Sequence, residues 1–354
     1  MVQENFLAFA GLQPFNRDDP ATHLQNFSYE PRPLEEDEVE ISISACGICG
    51  SDIHQLTNGW QRANYPIVPG HEFIGRVTAL GEKVTNLLLN DRVGVSPVCR
   101  SCNSCTLCTS AKGQYCSQKV TTYNGFYKGV KTYGGYSNKI RVQADWAIKI
   151  PDNISDEEGA PLLCAGITTF TPFKLLNIGA QTSVGVIGIG GLGHLAIQWG
   201  RAKECHKIVA ISSTNKKMDE AKKLGATDFI SLSDGLPTQS IVDVLFVCGS
   251  GPNTNWGELM SLVHIGGHVV VLDIPEKPIS IPPPALIYRQ LSLVGSFVGS
   301  NSDLHDMLAL ASEKNVRPWI EKVENNLTSL NQAILKLMDG KAHYRLVICG
   351  NHGE

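Results

Sequence analysis

The stretch SVGVIGIGGLG at residues 183–193 decides the fold of this chain, because it joins an apolar strand-like run to a Gly-x-Gly-x-x-Gly turn that opens a helix. Gly188 permits the tight turn, Gly190 lets the backbone approach a pyrophosphate, and Gly193 allows the helix to pack closely on the strand. The free N–H groups at the start of that helix then hold phosphate oxygens. A glycine-rich turn without a ligand is the alternative. The predicted cofactor contacts of this turn are Gly188, Gly190, Gly191, Leu192 and Gly193.

Beyond this turn, apolar runs alternate with helical segments. The runs lack the polar alternation of half-exposed strands, and such strands separated by helices form a parallel sheet that is covered on both faces. We therefore predict a doubly wound Rossmann α/β domain over residues 160–299. The predicted strands are 183–189, 208–212, 242–247, 268–272 and 291–295, and the predicted helical segments include 216–224 and 304–313.

The N-terminal part of the chain has a different pattern of apolar and polar residues. From Val39 to Ala45 apolar and polar residues alternate, which is the period of a half-buried strand. Short apolar pieces broken by Gly, Pro and Asn then indicate an irregular β-rich domain. A final strand at Tyr344–Cys349 has its natural partner in that domain. The sequence thus predicts a second domain formed by residues 1–159 and 300–354.

Composition argues against several classes of protein. The formal net charge of −4 lacks the excess of positive charge that is typical of proteins that bind DNA or RNA. The longest apolar stretch, Val184–Ile197, is interrupted by glycines and a histidine, so we expect no membrane helix. The first residues lack the basic and apolar regions of a signal peptide. Eleven cysteines, an odd number, fit a reducing cytoplasm better than a disulfide framework.

Four cysteines, Cys102, Cys105, Cys108 and Cys116, follow the pattern C-x2-C-x2-C-x7-C in a loop-like stretch. Four thiolates brought together by such tight turns complete a tetrahedron around Zn²⁺, and a closed site of this kind supports structure. Two disulfides are the alternative, but they need an oxidising compartment. A frame that starts at Cys99 lacks its fourth cysteine, so we expect Cys99 to be a free thiol.

The residues that follow the second Rossmann strand predict the choice of dinucleotide. An NAD enzyme places an acidic residue on the adenosine ribose about 20 residues beyond the glycine motif. This chain has hydroxyl and lysine side chains there instead, which favours the 2′-phosphate of NADP(H). A solvated lysine on a helix is the alternative for Lys217. The predicted contacts are Ser212, Ser213, Thr214 and Lys217.

A second group of metal-type residues is dispersed along the chain. Cys49, His71 and Cys164 lie in the segments CGSDIH, PGHE and PLLCAG. A set of two cysteines and one histidine leaves a fourth zinc position open for water or substrate, as in a catalytic site. Each residue alone is also compatible with an ordinary buried thiol or histidine. Their presence beside the cysteine loop and the dinucleotide motif favours a catalytic zinc.

These motifs together resemble those of the zinc-dependent medium-chain alcohol dehydrogenases, in their cinnamyl alcohol dehydrogenase-like branch. The resemblance rests on CGICGSDIH, VPGHE, the cysteine loop, PLLCAG, GIGGLGH, ISSTNKK and GSFVGS. It implies a GroES-like catalytic domain around the Rossmann domain, with two zinc ions per chain. By the same resemblance Glu72 is a second-sphere or transient zinc ligand, and Asp52 hydrogen-bonds the far nitrogen of His71. Cys46 is implied to be a bystander in the core.

The resemblance also implies the reaction, the interconversion of an aldehyde and a primary alcohol. Zinc polarises the carbonyl oxygen while hydride from the reduced nicotinamide attacks the carbon. Ser51 stands where the family keeps a hydroxyl, and a proton could pass from it through a nicotinamide-ribose hydroxyl to His54. A turn-capping serine is the alternative for Ser51 alone. Ser296 and Val298, in GSFVGS, are the further implied cofactor contacts.

The substrate expected from the resemblance is a medium-sized hydrophobic or aromatic aldehyde. Plant cinnamyl enzymes carry a tryptophan near the position of Thr121, and their loop before Cys99 is longer, so this chain is expected to accept a broad range of aldehydes. The implied pocket residues are Gln55, Trp60, Pro97, Thr121, Phe297 and Val298.

Two other functions and the assembly stay open. The first alternative is a reductase of C=N or conjugated C=C bonds in specialised metabolism. Such a reductase needs no proton relay to an alkoxide, so the presence of Ser51 and His54 argues against it. A zinc-binding or regulatory protein that keeps the fold without activity is the other alternative, and the intact ligand set and relay residues argue against it. The resemblance implies a homodimer through the apolar segment Val294–Val298, and a tetramer is the alternative.

Overall fold

The structure is a computed structural model that describes residues 4–251, 254–275 and 278–350. The chain divides into two compact units, each described here by itself. The first unit holds the described residues up to Cys164, Gly299–Ser312 and the residues from Arg317 onward. The second unit holds Ala165–Val298 and Glu313–Val316.

Strands occur throughout the described part of the chain. In chain order they are β1 (Phe6–Ala10), β2 (Gln25–Tyr29), β3 (Glu38–Ile48), β4 (Phe73–Leu80), β5 (Arg92–Val95), β6 (Val98–Arg100), β7 (Val120–Thr121), β8 (Phe126–Tyr127), β9 (Val130–Lys131), β10 (Lys139–Gln143), β11 (Ile148–Lys149), β12 (Ser183–Ile187), β13 (Lys207–Ser212), β14 (Asp228–Ser231), β15 (Val242–Val247), β16 (Val263–Val271), β17 (Ser292–Gly295), β18 (Ile320–Glu324) and β19 (Arg345–Cys349).

The α-helices are concentrated in the second half of the chain. They are α1 (Gly50–Leu56), α2 (Thr106–Thr109), α3 (Asp156–Pro161), α4 (Ile167–Leu175), α5 (Gly193–Ala202), α6 (Met218–Leu224), α7 (Trp256–Ser261), α8 (Pro283–Ile287), α9 (Asn301–Lys314) and α10 (Leu327–Met338).

Strand β3 organises the first unit. The order of its main sheet is β11-β5-β4-β3-β19-β18, and β10 also pairs with β3. The apolar positions of β3, such as Val39 and Ile41, are fully buried. They pack in a core that includes Phe73, Val93 and Ile348 from the neighbouring strands. The C-terminal strand β19 therefore ties the end of the chain to a strand near its beginning.

Helix α1 starts directly where β3 ends, and this junction carries predicted site residues. Asp52 in the first turn accepts a hydrogen bond from the backbone N–H of Cys49 at 2.9 Å, and the Asp52 N–H donates to the Cys49 carbonyl at 3.0 Å. A carboxylate in this position satisfies a backbone donor at the helix start and is favoured by the helix dipole. The turn between strand and helix is thereby fixed.

A π-helical turn, Leu162–Gly166, follows α3 and carries Cys164. Such turns hold one extra residue, occur mostly as single turns within α-helices and are frequent at functional sites. The extra residue changes the direction in which the following side chains project.

The second unit is a parallel sheet between helices. Within the described residues its strand order is β14-β13-β12-β15-β16-β17, with parallel pairing throughout. The order reverses at β12, so the crevice at the carboxyl ends of β12 and β15 is where this fold binds ligands. This arrangement confirms the doubly wound α/β class.

Several predicted elements differ in extent from the observed ones. Strand β14 carries no apolar run and was not predicted. Strand β16 begins at Val263 rather than at residue 268, because it continues through Gly266 and Gly267. Strand β17 ends at Gly295, so only the start of the predicted edge segment 294–298 is strand. In the described ranges, every helix falls short of the length and apolar character that a membrane crossing needs.

Candidate functional site

Four candidate metal ligands from three separate segments converge in the first unit. Cys49 precedes α1, His71 and Glu72 precede β4, and Cys164 lies in the π-helical turn. One ligand atom from each residue lies within 4.8 Å of all the others. The two thiols are 3.9 Å apart, and His71 Nε2 is 3.2 Å from the Cys164 sulfur. Thiolates bound to zinc at about 2.3 Å in a tetrahedron lie about 3.8 Å apart, so this spacing suits zinc.

The electrostatics of the two thiols also suit a cation. Contact with the Cys164 thiol, together with Arg345 and His71, lowers the pKa of Cys49 well below its usual value. The same contact and burial raise the pKa of Cys164 well above its usual value. The two sulfurs thus share one proton when no cation balances their charge. A bound divalent cation favours the doubly ionised form.

His71 is oriented by a buried carboxylate. Its Nδ1 lies 3.2 Å from Asp52 Oδ1, and both side chains are buried. Burial lowers the pKa of His71, but the Asp52 carboxylate outweighs it and raises that pKa well above the usual value. With Nδ1 facing the carboxylate, Nε2 is directed at the sulfur of Cys164. This is the tautomer that a metal-bound histidine requires.

Only one of the two carboxylate oxygens of Glu72 has a partner in this cluster. The residue has no exposed surface, and one of its oxygens pairs with the guanidinium of Arg345. The other oxygen, Oε2, is buried and without a hydrogen-bond partner among the described residues. Burial raises the pKa of Glu72 to about 7. A buried carboxylate oxygen beside two thiols and an imidazole is the donor set of a transition-metal site.

The four cysteines of the loop form a second cluster in the same unit. Their sulfurs approach one another pairwise at 3.5 to 3.8 Å, again the spacing of a tetrahedral zinc site. N–H groups of Ser104 and Cys105 lower the pKa of the Cys102 thiol to about 5, so it ionises readily. All eleven cysteines of the chain are free thiols. Cys99 lies apart, with its thiol 3.5 Å from the carbonyl of Val120.

Ser51 and His54 lie three residues apart on α1, so their side chains project from the same side of that helix. The imidazole of His54 stacks on the indole of Trp60, with ring centroids 4.7 Å apart and an angle of 15° between the planes. The Trp60 indole nitrogen is buried without a partner among the described residues. The predicted relay residue His54 is therefore in direct ring contact with the predicted pocket residue Trp60.

The other predicted pocket residues fall in both units. Gln55 accepts a hydrogen bond from the side-chain amide of Asn124 at 2.9 Å. Thr121 belongs to β7, and Pro97 precedes the partner strand β6; the Pro97 carbonyl accepts from the Thr122 N–H at 3.0 Å. Phe297 and Val298 belong to the second unit.

The glycine turn of the second unit borders a cavity of about 1180 Å³. A Cβ on Gly193 would lie 2.1 Å from the carbonyl oxygen of Gly188, so only glycine fits there. A Cβ on Gly190 would meet no atom within 4 Å, which leaves that face of the turn open to a ligand. Gly188 has a φ of 88°, in the left-handed region that glycine favours. These properties match the three roles of glycine in a dinucleotide turn.

Hydroxyl and amine groups dominate the far end of this cavity, at the end of β13. Ser212, Ser213, Thr214 and Lys217 all line it, and no carboxylate occurs at the end of this strand. Lys217 Nζ donates to the carbonyl of Ile189 in the glycine turn at 2.6 Å. Ser296, another predicted cofactor contact, does not line this cavity. Its hydroxyl is buried without a partner among the described residues. The cavity is bordered by the glycine turn and by the hydroxyl and lysine side chains that follow β13, as expected for a dinucleotide site of this fold.

Comparison with known proteins accounts for both units. Residues 35–152 match the alcohol dehydrogenase GroES-like domain, and residues 191–313 match the zinc-binding dehydrogenase domain. Probable cinnamyl alcohol dehydrogenase 3 of Oryza sativa subsp. japonica is 37% identical over 335 residues, which are 93% of this chain and 91% of that protein. The chain belongs to the zinc-dependent medium-chain alcohol dehydrogenases, in the cinnamyl alcohol dehydrogenase-like branch.

Solved structures of this branch agree. A cinnamyl alcohol dehydrogenase of Sorghum bicolor superposes with a TM-score of 0.90 at 33% identity, covering 98% of each chain. A cinnamyl alcohol dehydrogenase of Helicobacter pylori, solved as a complex with NADP(H), gives 0.88 at 28% identity and again covers 98% of each chain. This medium-chain alcohol dehydrogenase is therefore an oxidoreductase with the GroES-like and Rossmann folds.

Sequence reasoning missed the charged partner of Glu72 in this alcohol dehydrogenase. Arg345 lies in the final strand, 273 positions from Glu72, and is 5% exposed. The pairing of β19 with β3 brings Arg345 to the site, with Leu346 opposite Ile48. The available signal was an arginine inside an otherwise apolar C-terminal strand, because a buried arginine needs an acidic partner.

We predict that Arg345→Met destabilises this alcohol dehydrogenase by about 3 to 5 kcal/mol, because Glu72 is left buried without its guanidinium partner and must either stay charged and uncompensated or take up a proton. Urea unfolding of the metal-free protein at neutral pH measures the change. The double variant Arg345→Met/Glu72→Met removes both charges and should recover most of the loss. Arg76→Met, at an exposed arginine, is the control and should change stability by less than about 0.5 kcal/mol. A stability of Arg345→Met equal to that of the parent would contradict the prediction.

Proposed function

We propose that this chain is a zinc-dependent, NADP(H)-dependent alcohol dehydrogenase that interconverts hydrophobic or aromatic aldehydes and primary alcohols. The observation that carries the proposal is the buried convergence of Cys49, His71, Glu72 and Cys164. Membership of the alcohol dehydrogenase family supports alcohol and aldehyde chemistry at this site.

Bound zinc supplies a Lewis acid for the carbonyl oxygen, and bound NADPH supplies the hydride. Cys49, His71 and Cys164 are the proposed zinc ligands, and Glu72 lies where its carboxylate oxygen can supply a fourth donor. Asp52 holds His71 in the required tautomer. Arg345 neutralises Glu72 when its carboxylate faces away from the ligands.

Proton movement is assigned to α1. Ser51 donates the proton that an aldehyde oxygen needs on reduction, and His54, one turn further along the helix, exchanges that proton with solvent. The stack of His54 on Trp60 supports the plane of the imidazole. Gln55, Trp60, Pro97 and Thr121 are the proposed substrate contacts of the first unit. The roles of Phe297 and Val298 stay predictions.

The dinucleotide is assigned to the cavity of the second unit. Gly188, Gly190, Gly191, Leu192 and Gly193 are proposed to hold the pyrophosphate, with Ser296 and Val298 as further contacts. Ser212, Ser213, Thr214 and Lys217 are proposed to hold the 2′-phosphate of NADP(H). The NADP(H) complex of the Helicobacter relative supports this choice.

A homodimer is proposed through the edge of the parallel sheet. Strand β17 forms this edge in the described part of the chain. Apolar side chains beside it are open to solvent, among them Ile287 at 71% and Tyr288 at 82% exposure. Exposed apolar groups of this size around an edge strand are typical of an interface. The cytoplasmic location and the domain boundaries at residues 159/160 and 299/300 stay predictions.

We predict two zinc ions per chain with different roles. Cys105→Ser should remove one zinc and lower the thermal midpoint, because a four-cysteine site contributes directly to folding. Cys164→Ser should remove the other zinc and abolish turnover while the fold remains. Elemental analysis and thermal unfolding measure both effects, and Cys99→Ser is the control that should keep both ions. Fully active protein with fewer than two zinc ions per chain would contradict this prediction.

We predict a preference for NADPH over NADH on the order of 10²-fold in kcat/KM, because each hydrogen bond to a charged group contributes roughly 1.5 to 3 kcal/mol. Ser213→Asp should reverse the preference by placing a carboxylate against the 2′-phosphate. Ser233→Asp adds the same charge outside the cavity lining and should leave the preference unchanged. Steady-state kinetics with both cofactors measure the ratio. A parent protein with equal kcat/KM for the two would refute the assignment.

We predict that Ser51→Ala lowers reduction of cinnamaldehyde by roughly 10²-fold, as expected for a lost proton-transfer group, while NADPH affinity changes little. Ser110→Ala, in the cysteine loop, is the control. Cinnamaldehyde is a suitable probe because carbonyl reduction gives an unsaturated alcohol, whereas C=C reduction gives a saturated aldehyde. Product analysis by gas chromatography distinguishes them. Full activity of Ser51→Ala, or a saturated aldehyde as product, would favour reduction of C=C or C=N bonds instead.

A further inference from the structure

The carboxylate of Asp52 connects two of the proposed metal ligands. Asp52 has no exposed surface. Its Oδ2 accepts from the backbone N–H of Cys49 at 2.9 Å, and its Oδ1 accepts from the Gly70 N–H at 3.2 Å and faces Nδ1 of His71 at 3.2 Å. A displacement of this one carboxylate would move both a thiol ligand and an imidazole ligand.

A further donor reaches Asp52 from a distant segment. The hydroxyl of Tyr136 donates to Asp52 Oδ2 at 3.3 Å, and Tyr136 is 2% exposed. A phenylalanine would fill the same apolar space without the cost of burying a hydroxyl. The hydroxyl group therefore has a role that packing alone does not explain.

Two glycines bring Tyr136 to this position. The N–H of Gly135 donates to the Gly70 carbonyl at 2.8 Å, and the N–H of Tyr136 donates to the Pro69 carbonyl at 3.0 Å. A Cβ on Gly134 would lie 2.3 Å from the Pro69 carbonyl oxygen, a contact that real Cβ atoms do not make. The segment that carries Tyr136 thus lies directly against the loop that ends at His71.

We propose that Tyr136 is a positioning residue of the metal site. Its hydroxyl holds the Asp52 carboxylate in the plane that serves both Cys49 and His71, and the Gly134–Gly135 pair allows the close backbone approach that this requires. The inference rests on the proposed zinc site of Cys49, His71 and Cys164. It assigns to Tyr136 an effect on metal affinity and ligand geometry, without contact with substrate.

The test is Tyr136→Phe, which removes one oxygen atom and keeps the ring. Zinc affinity is measured by chelator competition, and ligand geometry by the visible absorption of the protein with Co²⁺ at this site. We expect affinity to fall about 10-fold, the low end of the loss typical for groups that support metal ligands, with a shifted Co²⁺ band. Tyr133→Phe is the matched control, because Tyr133 packs on Tyr29 instead, with ring centroids 4.4 Å apart. It should leave both readouts unchanged.

A double-mutant cycle distinguishes action through Asp52 from a general effect. In an Asp52→Asn background, Tyr136→Phe should change zinc affinity by about 2-fold or less, since the two residues act as one unit. Equal losses in both backgrounds, or parent-like affinity and spectrum in Tyr136→Phe, would overturn the inference. So would a metal-free protein that no longer folds, since the role would then be structural.

A different experimental result would show that the proposed zinc site itself is wrong. In that case the parent protein would hold no zinc that Cys164→Ser releases, whatever residue stands at position 136. Parent protein that binds this zinc, together with an unaffected Tyr136→Phe, overturns the positioning role alone.

Discussion

The unbalanced charge buried around Cys49, His71, Glu72 and Cys164 is the constraint on which the first unit depends. Ionisable groups are rarely buried unless they are paired or coordinate a metal, because desolvation penalises their charged forms. Arg345 compensates one carboxylate oxygen, and Asp52 compensates the imidazole. The second Glu72 oxygen has no hydrogen-bond partner among the described residues, and Arg345 and His71 favour ionisation of Cys49 while the pKa of Cys164 stays well above its usual value. In the proposed zinc site, a divalent cation would supply the missing positive charge and would couple metal binding to folding in this unit.

This constraint explains why the ligand segments come from such different places. Cys49 is fixed by the junction of β3 and α1, His71 by the approach to β4, and Cys164 by a π-helical turn. The charge that balances Glu72 comes from β19, at the opposite end of the chain. Each segment belongs to, or ends at, an element of regular structure, as a preorganised metal site requires. The antiparallel pairing of β19 with β3 therefore serves the site as well as the sheet.

Much of the second unit follows from local sequence. Strand β15 coincides with the predicted run Val242–Val247, which is apolar except for Asp243, because a central parallel strand is buried on both faces. Strand β14 could not be predicted in this way, since its short edge sequence DFIS has no such run. The beginning of β16 was missed because Gly266 and Gly267 interrupt the pattern. The structure keeps them in the strand, where a Cβ on Gly267 would lie 2.4 Å from the carbonyl of Asp243. In the first unit, the candidate ligands follow from residue type and motif, whereas the partners of Arg345 and Tyr136 depend on pairings between distant segments that no local pattern reveals.

The π-helical turn at Leu162–Gly166 has a consequence for how this protein can change over time. One extra residue in a turn is equivalent to a single insertion into an ordinary helix. Its deletion would restore regular i to i−4 hydrogen bonding and rotate the preceding residues by about 100° relative to those that follow. The shorter helix would be the more regular one, yet the Cys164 thiol would point away from Cys49 and His71. A one-residue deletion in this turn would thus gain helical regularity and lose the convergence of the candidate ligands, whatever residue types surround Cys164.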